Sequence, residues 1–491
     1  MKRKERKFLG QPWGLSTLFF TEMWERFSYH GMRAILLFYM YYQVTQGGLG
    51  LEKGTASSIM AIYGSLVYLA AVLGGWVGDR LLGSFKTVLY GGVLIMLGHI
   101  VLSFPSGAWA LFVSIALIVV GTGFLKPNVS DMVGLLYSEE DQNRDVGFTI
   151  FVFGINFGSF IAPIVVGSIG QGYSFHVGFS LAAIGMLFGL IQYYRGRNHL
   201  SAAAKKPSNP ITPTERQKIL RLIALGMGSL AIILVVLAGM GKLTIDAIIL
   251  LITIIAVALP FYYFTVMLTS KKVTAKEKKH VLAYIPLFIA IVLFWGIQES
   301  GSVVMTLFAE DRTILHIGAL QLHSSNFQAL NPFFITILMP GFTWLIQHWK
   351  RQPSSAGKFA IGLILAGCSY LLMTLPGLLH GTAGRVSPFW LIASALVVEI
   401  AECFISPIGL STTTKLAPAA FRSQMMSMWF LADAVGQAFN SQLVSYYSPT
   451  TEISYFFAIG SVSVIAGFIL VLFVPRIKQL MHGLAEVTAE D

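Results

Sequence analysis

Apolar runs of about 20 residues, long enough to cross a bilayer, recur fourteen times along the chain between breaks rich in glycine, proline or charge. Six lie at 15–42, 55–78, 86–104, 109–134, 146–169 and 175–194. A polar, proline-containing stretch from Arg195 to Pro213 follows, with the composition of an interdomain linker. Two runs at 219–238 and 244–268 come next, then a basic segment from Lys271 to His280. The last six fall at 281–308, 328–348, 358–377, 387–413, 423–446 and 453–474. This layout predicts an all-α integral membrane fold of two six-helix bundles with an inserted two-helix hairpin. The expected units are an N-terminal bundle (1–195), a cytoplasmic linker (196–218), the hairpin (219–268), a basic cytoplasmic linker (269–280), a C-terminal bundle (281–475) and a cytoplasmic tail (476–491). The hairpin runs carry no polar stripe, so they read as an insertion and not as part of a pathway.

Composition agrees with this pattern. Of 491 residues, 55% are hydrophobic and 12% charged, against about 25% charged in an average soluble protein; mean hydropathy is +0.70. A surface so poor in charge must face hydrocarbon. The net charge of +11 raises nucleic acid as a partner, and the placement of the cations removes it. With both termini inside, 27 of the 34 Lys and Arg residues fall in inner segments, four in outer loops (Lys53, Lys242, Arg312, Arg385) and three within runs (Arg26, Arg33, Lys126). That is the positive-inside bias of a multi-pass cell-membrane protein with cytoplasmic ends. Cys368 and Cys403 both lie in apolar runs and imply neither disulfide nor metal framework. Met1 to Lys7 resembles a signal-peptide n-region, but no small-residue cleavage site follows, so the N-terminus reads as retained.

Against this apolar background the buried charges carry the chemistry, since an ionisable group at bilayer depth costs about 2.5–3.5 kcal/mol and normally faces a bundle interior or watery cavity. On a helix, Glu22, Glu25, Arg26, Tyr29 and Arg33 share one stripe about 100° wide, while Trp24 and Phe27 point elsewhere and are free to meet lipid. Lys126, in Gly123-Phe-Leu-Lys-Pro-Asn128, is either a central ammonium in search of a carboxylate or a lysine snorkelling from a helix end. Asn156, among the small residues of Gly154 to Ser159, reads equally as a ligand contact or as interhelical glue. Later runs add Trp295, Gln298 and Glu299, then Asn331, then Glu399 and Glu402, then Trp429, Phe430 and Asp433. Glu402 and Asp433 are the acids hardest to dismiss as structural, whereas Glu399 has room to lie toward a rim or a neighbouring helix. Cations come from the first six runs and Glu299, Glu402 and Asp433 from the last six. A cavity between the halves would have one wall of each sign, which fits a zwitterion, with Tyr29, Tyr68, Trp295, Trp429 and Phe430 as adaptable lining.

Together these residues resemble the proton-dependent oligopeptide transporter family of the major facilitator superfamily. The family's first-helix pattern, Glu-x-x-Glu-Arg-Phe-x-Tyr-Tyr-Gly, is met from Glu22 to Gly31 except that His30 replaces the second tyrosine. Phe151 to Ser159 resembles the fifth-helix signature, Gly75 to Gly83 loosely matches the superfamily's Gly-x-x-x-Asp-Arg-x-x-Gly loop, and the six-two-six layout is that of bacterial members. The resemblance implies import of di- and tripeptides with protons. It implies that Arg26, Arg33 and Lys126 meet the peptide carboxylate or take part in switching, and that Glu402, Asn156 and Asn331 hold the amino end. Tyr29, Tyr68, Trp295, Trp429 and Phe430 would line side-chain pockets, and Glu22, Glu25 and Glu299 would couple the proton. An Arg33–Glu299 ion pair is expected to close the outer side. His30, which adds a group with an ordinary pKa of about 6.5, Gln298 and Asp433 are departures that bear on pH dependence or peptide preference, so His30 and Asp433 join the candidate binding set.

The rivals are the same fold carrying histidine, nitrate or a drug, an ion channel, and an integral membrane enzyme. The complete Glu-x-x-Glu-Arg motif argues against nitrate, and facing walls of opposite sign suit a bound zwitterion better than ion conduction. No His-Glu-x-x-His, Gly-x-Ser-x-Gly or cofactor-binding loop occurs, so neither catalysis nor a cofactor or metal is expected.

Overall fold

The computed structural model describes residues 7–138, 141, 143–317 and 320–481. The expected cytoplasmic N-terminal run through Arg6, and residues 482–491 of the expected tail, lie outside the described residues. Among the described residues, twelve helices are long and apolar enough to cross a membrane. These are α2 (Lys53–Leu82), α3 (Ser84–Leu102), α4 (Ala108–Gly134), α5 (Val146–Gly172), α6 (Phe175–His199), α7 (Pro213–Gly239), α8 (Ile245–Thr269), α9 (Ala275–Arg312), α10 (Ser324–His348), α11 (Ser355–His380), α12 (Phe389–Lys415) and α14 (Glu452–Leu480). Two more, α1 (Trp13–Tyr41) and α13 (Arg422–Leu443), are of comparable length but more polar, and bring the set to fourteen. An even number of crossings returns the chain to the face on which it began, here called the terminal face.

Several helices run past the apolar segments that announce them, because their first turns are polar and capped. In α7 Pro213 opens the helix, and the Thr212 hydroxyl accepts from the Glu215 amide while Glu215 bonds back to Thr212. Thr274 and Glu277 make the same reciprocal box at the start of α9. Within α9, regular α-helix stops at Glu299, a 3₁₀ turn spans Ser300–Ser302, and a short helix resumes at Val304–Arg312. The backbone of Val303, at φ −122° and ψ −79°, makes that bend.

The first six helices pack as one bundle and α9–α14 as another. In the first bundle α1 is central, with 22 of its 29 residues buried. The expectation that its apolar side meets lipid is therefore corrected: that side packs on α5 and α6. Trp24 lies 5.3 Å from the Phe188 ring, and α6 meets this pair with glycine, since a Cβ on Gly185 would come within 2.7 Å of Phe27 and one on Gly189 within 3.2 Å of Trp24.

The hairpin helices behave differently from one another. No residue of α7 is buried. One side of α8, through Ile249, Thr253, Ala256, Pro260, Phe264 and Met267, is buried against α2, α9 and α13. The turn closing α2 is tied to the linker: Asp79 O and Arg80 O accept from the Asn209 and Ile211 amides, Ser208 Oγ donates to Asp79 Oδ1 at 3.1 Å, and Arg80 Nη2 reaches Glu215 Oε2 at 2.7 Å. The Asp-Arg pair thus anchors the segment that leads into the hairpin.

Candidate functional site

A cavity of about 360 Å³ lies between the bundles at mid-depth, lined from α1, α2, α4 and α5 on one side and α9–α12 on the other. It gathers Glu22, Arg26, His30, Arg33, Tyr68, Lys126 and Asn156 with Trp295, Glu299, Asn331 and Glu402. The remaining candidates, Glu25, Tyr29, Trp429, Phe430 and Asp433, are not part of that lining.

On α1 one cation of the stripe is set against two of its acids. Arg26 Nε lies 2.9 Å from Glu22 Oε1, one turn away, and 2.7 Å from Glu25 Oε2. Glu25 is fully buried behind the cavity wall. Tyr29, 4% exposed, lies beside both guanidinium groups, its ring centroid 5.6 Å from Arg26 Cζ and 5.9 Å from Arg33 Cζ. His30 meets Tyr29 edge-on at 5.2 Å and faces the cavity. Arg33 crosses between the bundles: its Nη2 lies 2.5 Å from Glu299 Oε2 and donates to Ser302 Oγ at 2.8 Å. Glu299 and Ser302, three residues apart at the 3₁₀ break in α9, thus meet one guanidinium.

Lys126 Nζ sits 3.8 Å from the centre of the Tyr68 ring, a cation–π contact. No carboxylate of the described residues lies within ion-pair distance of it. The snorkelling alternative is thereby set aside, since the ammonium is turned into the cavity. On the opposite wall Gln298 Nε2 donates to Glu399 Oε1 at 2.7 Å and to Glu402 Oε2 at 2.6 Å. Trp295 lines the cavity and meets Trp429 edge-on at 6.2 Å, which places Trp429 as its backing. Asp433, 2% exposed, accepts from Gln437 Nε2 at 2.7 Å one turn along α13. Phe430 is half-buried on the same helix.

Glu399 is the residue that reading the sequence undervalued. It is not at a rim; it meets the neighbouring helix α9, accepting from Gln298, while being 1% exposed and lining the cavity beside Glu402. The available signal was its spacing, since i and i+3 share a helix face.

Toward the face opposite the termini, further polar contacts join the halves above the cavity. Tyr42 Oη donates to Glu310 Oε1 at 2.5 Å, Gln171 Nε2 donates to Glu310 Oε2 at 3.0 Å and to Ser324 Oγ at 2.8 Å, and Lys53 pairs with Asp311. Asn326 Nδ2 donates to Pro163 O at 2.9 Å. The cavity is therefore sealed on that side by side chains from both bundles.

The sequence profile of the POT family matches residues 85–463. A di-/tripeptide transporter of Lactococcus lactis subsp. cremoris is 47% identical over 494 residues, covering 98% of this chain and 99% of that protein. Among solved structures, peptide transporter POT in complex with sulfate superimposes with a TM-score of 0.94 at 50% identity, covering 98% of both chains. A mutant of peptide transporter POT in complex with alafosfalin gives 0.92 at 49% identity, again over 98% of both.

Proposed function

Because the chain belongs to the POT family, with its multi-pass major facilitator fold, we propose that it imports di- and tripeptides together with protons by alternating access. One observation carries this reading. Lys126 brings from one bundle a cation without a carboxylate at ion-pair distance, and Glu399 and Glu402 bring from the other a pair of acids without a cation, all into one cavity. A peptide has the matching ends: its carboxylate goes to Lys126, with Arg26 and His30 nearby, and its ammonium to Glu402, with Asn156 and Asn331 as neutral partners. Tyr68 and Trp295 line the space for side chains, while Tyr29, Trp429, Phe430 and Asp433 support the lining from behind.

The protein resides in the cell membrane, the terminal face is cytoplasmic, and the sealed face is outer, an orientation supported by the placement of Lys and Arg. Residues 1–195 and 281–475 are the units that rock around the mid-depth site, with the 219–268 hairpin carried between the linkers 196–218 and 269–280. The Arg33–Glu299 pair holds the outer side shut while Glu299 is ionised. A proton arriving at Glu299 removes its charge, weakens the pair and frees the bundles to part. Glu22, hydrogen-bonded to Arg26, and Glu25, ion-paired with it on the same stripe, are the acids to which that proton passes on its way inward. No step changes the substrate covalently. One charge moving down 100 mV contributes about 2.3 kcal/mol, enough for about fiftyfold accumulation of a neutral peptide.

The test is uptake of labelled dialanine by the purified protein in liposomes under an inward proton gradient. Gradient-stimulated uptake, competed by dipeptides and tripeptides but not by free histidine or nitrate, is the expected result. Uptake indifferent to the gradient removes proton coupling, and no uptake of any peptide removes the substrate class.

A further inference from the structure

The inserted hairpin leaves a space that the protein does not fill. Its helices α7 and α8 are joined by the short turn Met240–Thr244 on the sealed side, and their other ends lie at the terminal face. α8 docks on the bundles through its buried stripe, whereas α7 packs against no other helix, α8 included, and has no buried residue. What the two helices leave open is apolar over most of its length, with Leu225, Ile232 and Val235 exposed on α7 and Ile254 on α8. Inside a bilayer such a space does not hold water, because apolar walls offer it no partners, and it does not stay empty, because matter there is close-packed. Lipid acyl chains, as apolar as the side chains beside them, are what can fill it.

At headgroup level the same space is flanked by cations. Arg216, Lys218 and Arg221 lie in the first turns of α7, Lys271 and Lys272 follow the end of α8, and all five are exposed. Lys218 and Arg221, three residues apart, share one face of α7. Among the described residues none of the five makes an ion pair. The two acids close to them in sequence are engaged elsewhere: Glu215 accepts from Thr212 and pairs with Arg80, and Glu277 accepts from Thr274 and from the Ala419 amide. Tyr262, exposed two turns before the end of α8, is of a residue type that settles among lipid headgroups. At the hairpin's opposite end a single cation, Lys242, is matched by a single acid, Asp246. The general bias of Lys and Arg toward one face accounts for cations being here; the unfilled space between the two helices is what makes a site of them.

We propose that the cleft between α7 and α8 binds an anionic phospholipid from the leaflet at the terminal face. Its acyl chains lie along the two helices, and its headgroup phosphate sits between Arg216, Lys218 and Arg221 on one side and Lys271 and Lys272 on the other. The lipid supplies the packing that α7 does not find in the protein. The cleft is separate from the central cavity, so the site is independent of the solute carried.

The experiment is native mass spectrometry of the full chain, released from nanodiscs that contain equal amounts of phosphatidylglycerol and phosphatidylcholine. Wild type is expected to retain phosphatidylglycerol in preference to phosphatidylcholine. Lys271→Gln/Lys272→Gln should reduce that preference by up to about fivefold for each charge removed. Arg476→Gln/Lys478→Gln removes the same charge from exposed positions at the terminal-face end of α14, away from the cleft, and should leave the preference unchanged. Equal losses in the two double variants mean diffuse attraction and overturn the site, as does no loss in the hairpin variant or equal retention of the two lipids by wild type. A dimer that carries no lipid assigns the open face of α7 to a second copy and also overturns it. Should the hairpin variant not fold, electron spin resonance of spin-labelled lipids around wild type decides the matter. A larger immobilised fraction of phosphatidylglycerol than of phosphatidylcholine is expected, and equal fractions overturn the proposal.

Discussion

Glu299→Gln tests the outer closure most directly, because it removes one charge and almost nothing else. Arg33 Nη2 lies 2.5 Å from Glu299 Oε2, and the two side chains are 7% and 12% exposed. At a charge separation of about 4 Å and an effective dielectric constant of about 20, the attraction is about 4 kcal/mol. Glutamine keeps a neutral acceptor for the guanidinium, retaining about 1 kcal/mol. The difference, at most about 3 kcal/mol because separated charges regain hydration, corresponds to a shift of up to about 150-fold toward the outer-open form. The assay is a pulsed electron spin distance measurement between labels at Gln46 and Ala383, exposed positions on the sealed side, with Cys368 replaced by serine and Cys403 by alanine. The variant is expected to show a longer-distance population that wild type acquires only when acidified. Distance distributions that coincide for variant and wild type at neutral pH would refute the claim that this pair biases the closure.

Other perturbations separate binding from architecture. Lys126→Ala removes the ammonium proposed for the peptide carboxylate and should weaken dialanine by about 2–3 kcal/mol, roughly 30- to 150-fold in Kd; calorimetry with dialanine amide, which lacks the carboxylate, should find variant and wild type alike. Arg312 Nε donates to Glu452 Oε2 at 2.8 Å, both side chains buried, and its Nη2 donates to Gly381 O at 2.6 Å. Arg312→Ala should therefore lower stability by about 3–5 kcal/mol, seen as a lower thermal unfolding midpoint, while the KM of whatever folds is unchanged because the pair is remote from the cavity. Gly436 lets α13 approach α9 so closely that a Cβ would fall 2.8 Å from Gly296 N and from Val292 O; Gly436→Ala should cost about 1–3 kcal/mol and lower the same midpoint.

What hydropathy carries well is the number and order of crossings, since each needs a run of apolar residues whatever it later packs against. It does not say what a given apolar face meets, because lipid and a neighbouring helix are equally apolar. That is why Trp24 and Phe27 read as lipid-facing and turn out to fill the glycine-lined side of α6. The same limit makes α7 and α8 look alike in sequence, although one has no buried residue and the other buries a stripe from Ile249 to Met267. The charges of the cavity stood out because their presence in an apolar run is expensive. Which of them pair did not, since pairing depends on the bend at Ser300–Ser302 and on the reach of Gln298, features set by tertiary packing. Glu399 shows the difference: its type and spacing were visible, while its place beside Glu402 was set by the way α12 faces α9.

That bend also relates the cavity to the outer closure. Glu299 ends the regular part of α9, and Glu310 and Asp311 ride on the short helix beyond the break. The closure thus has two layers on separate rigid pieces: Arg33–Glu299 at the cavity roof, and the Tyr42–Glu310–Gln171–Ser324 cluster with Lys53–Asp311 above it. Only the lower layer is within reach of a peptide or of a proton held in the cavity. On the proposed mechanism the upper layer would respond through the Ser300–Val303 turn, where regular helix is already interrupted. Loss of the lower pair should therefore shift the balance toward opening and not abolish closure, because Glu310 still accepts from groups of both bundles.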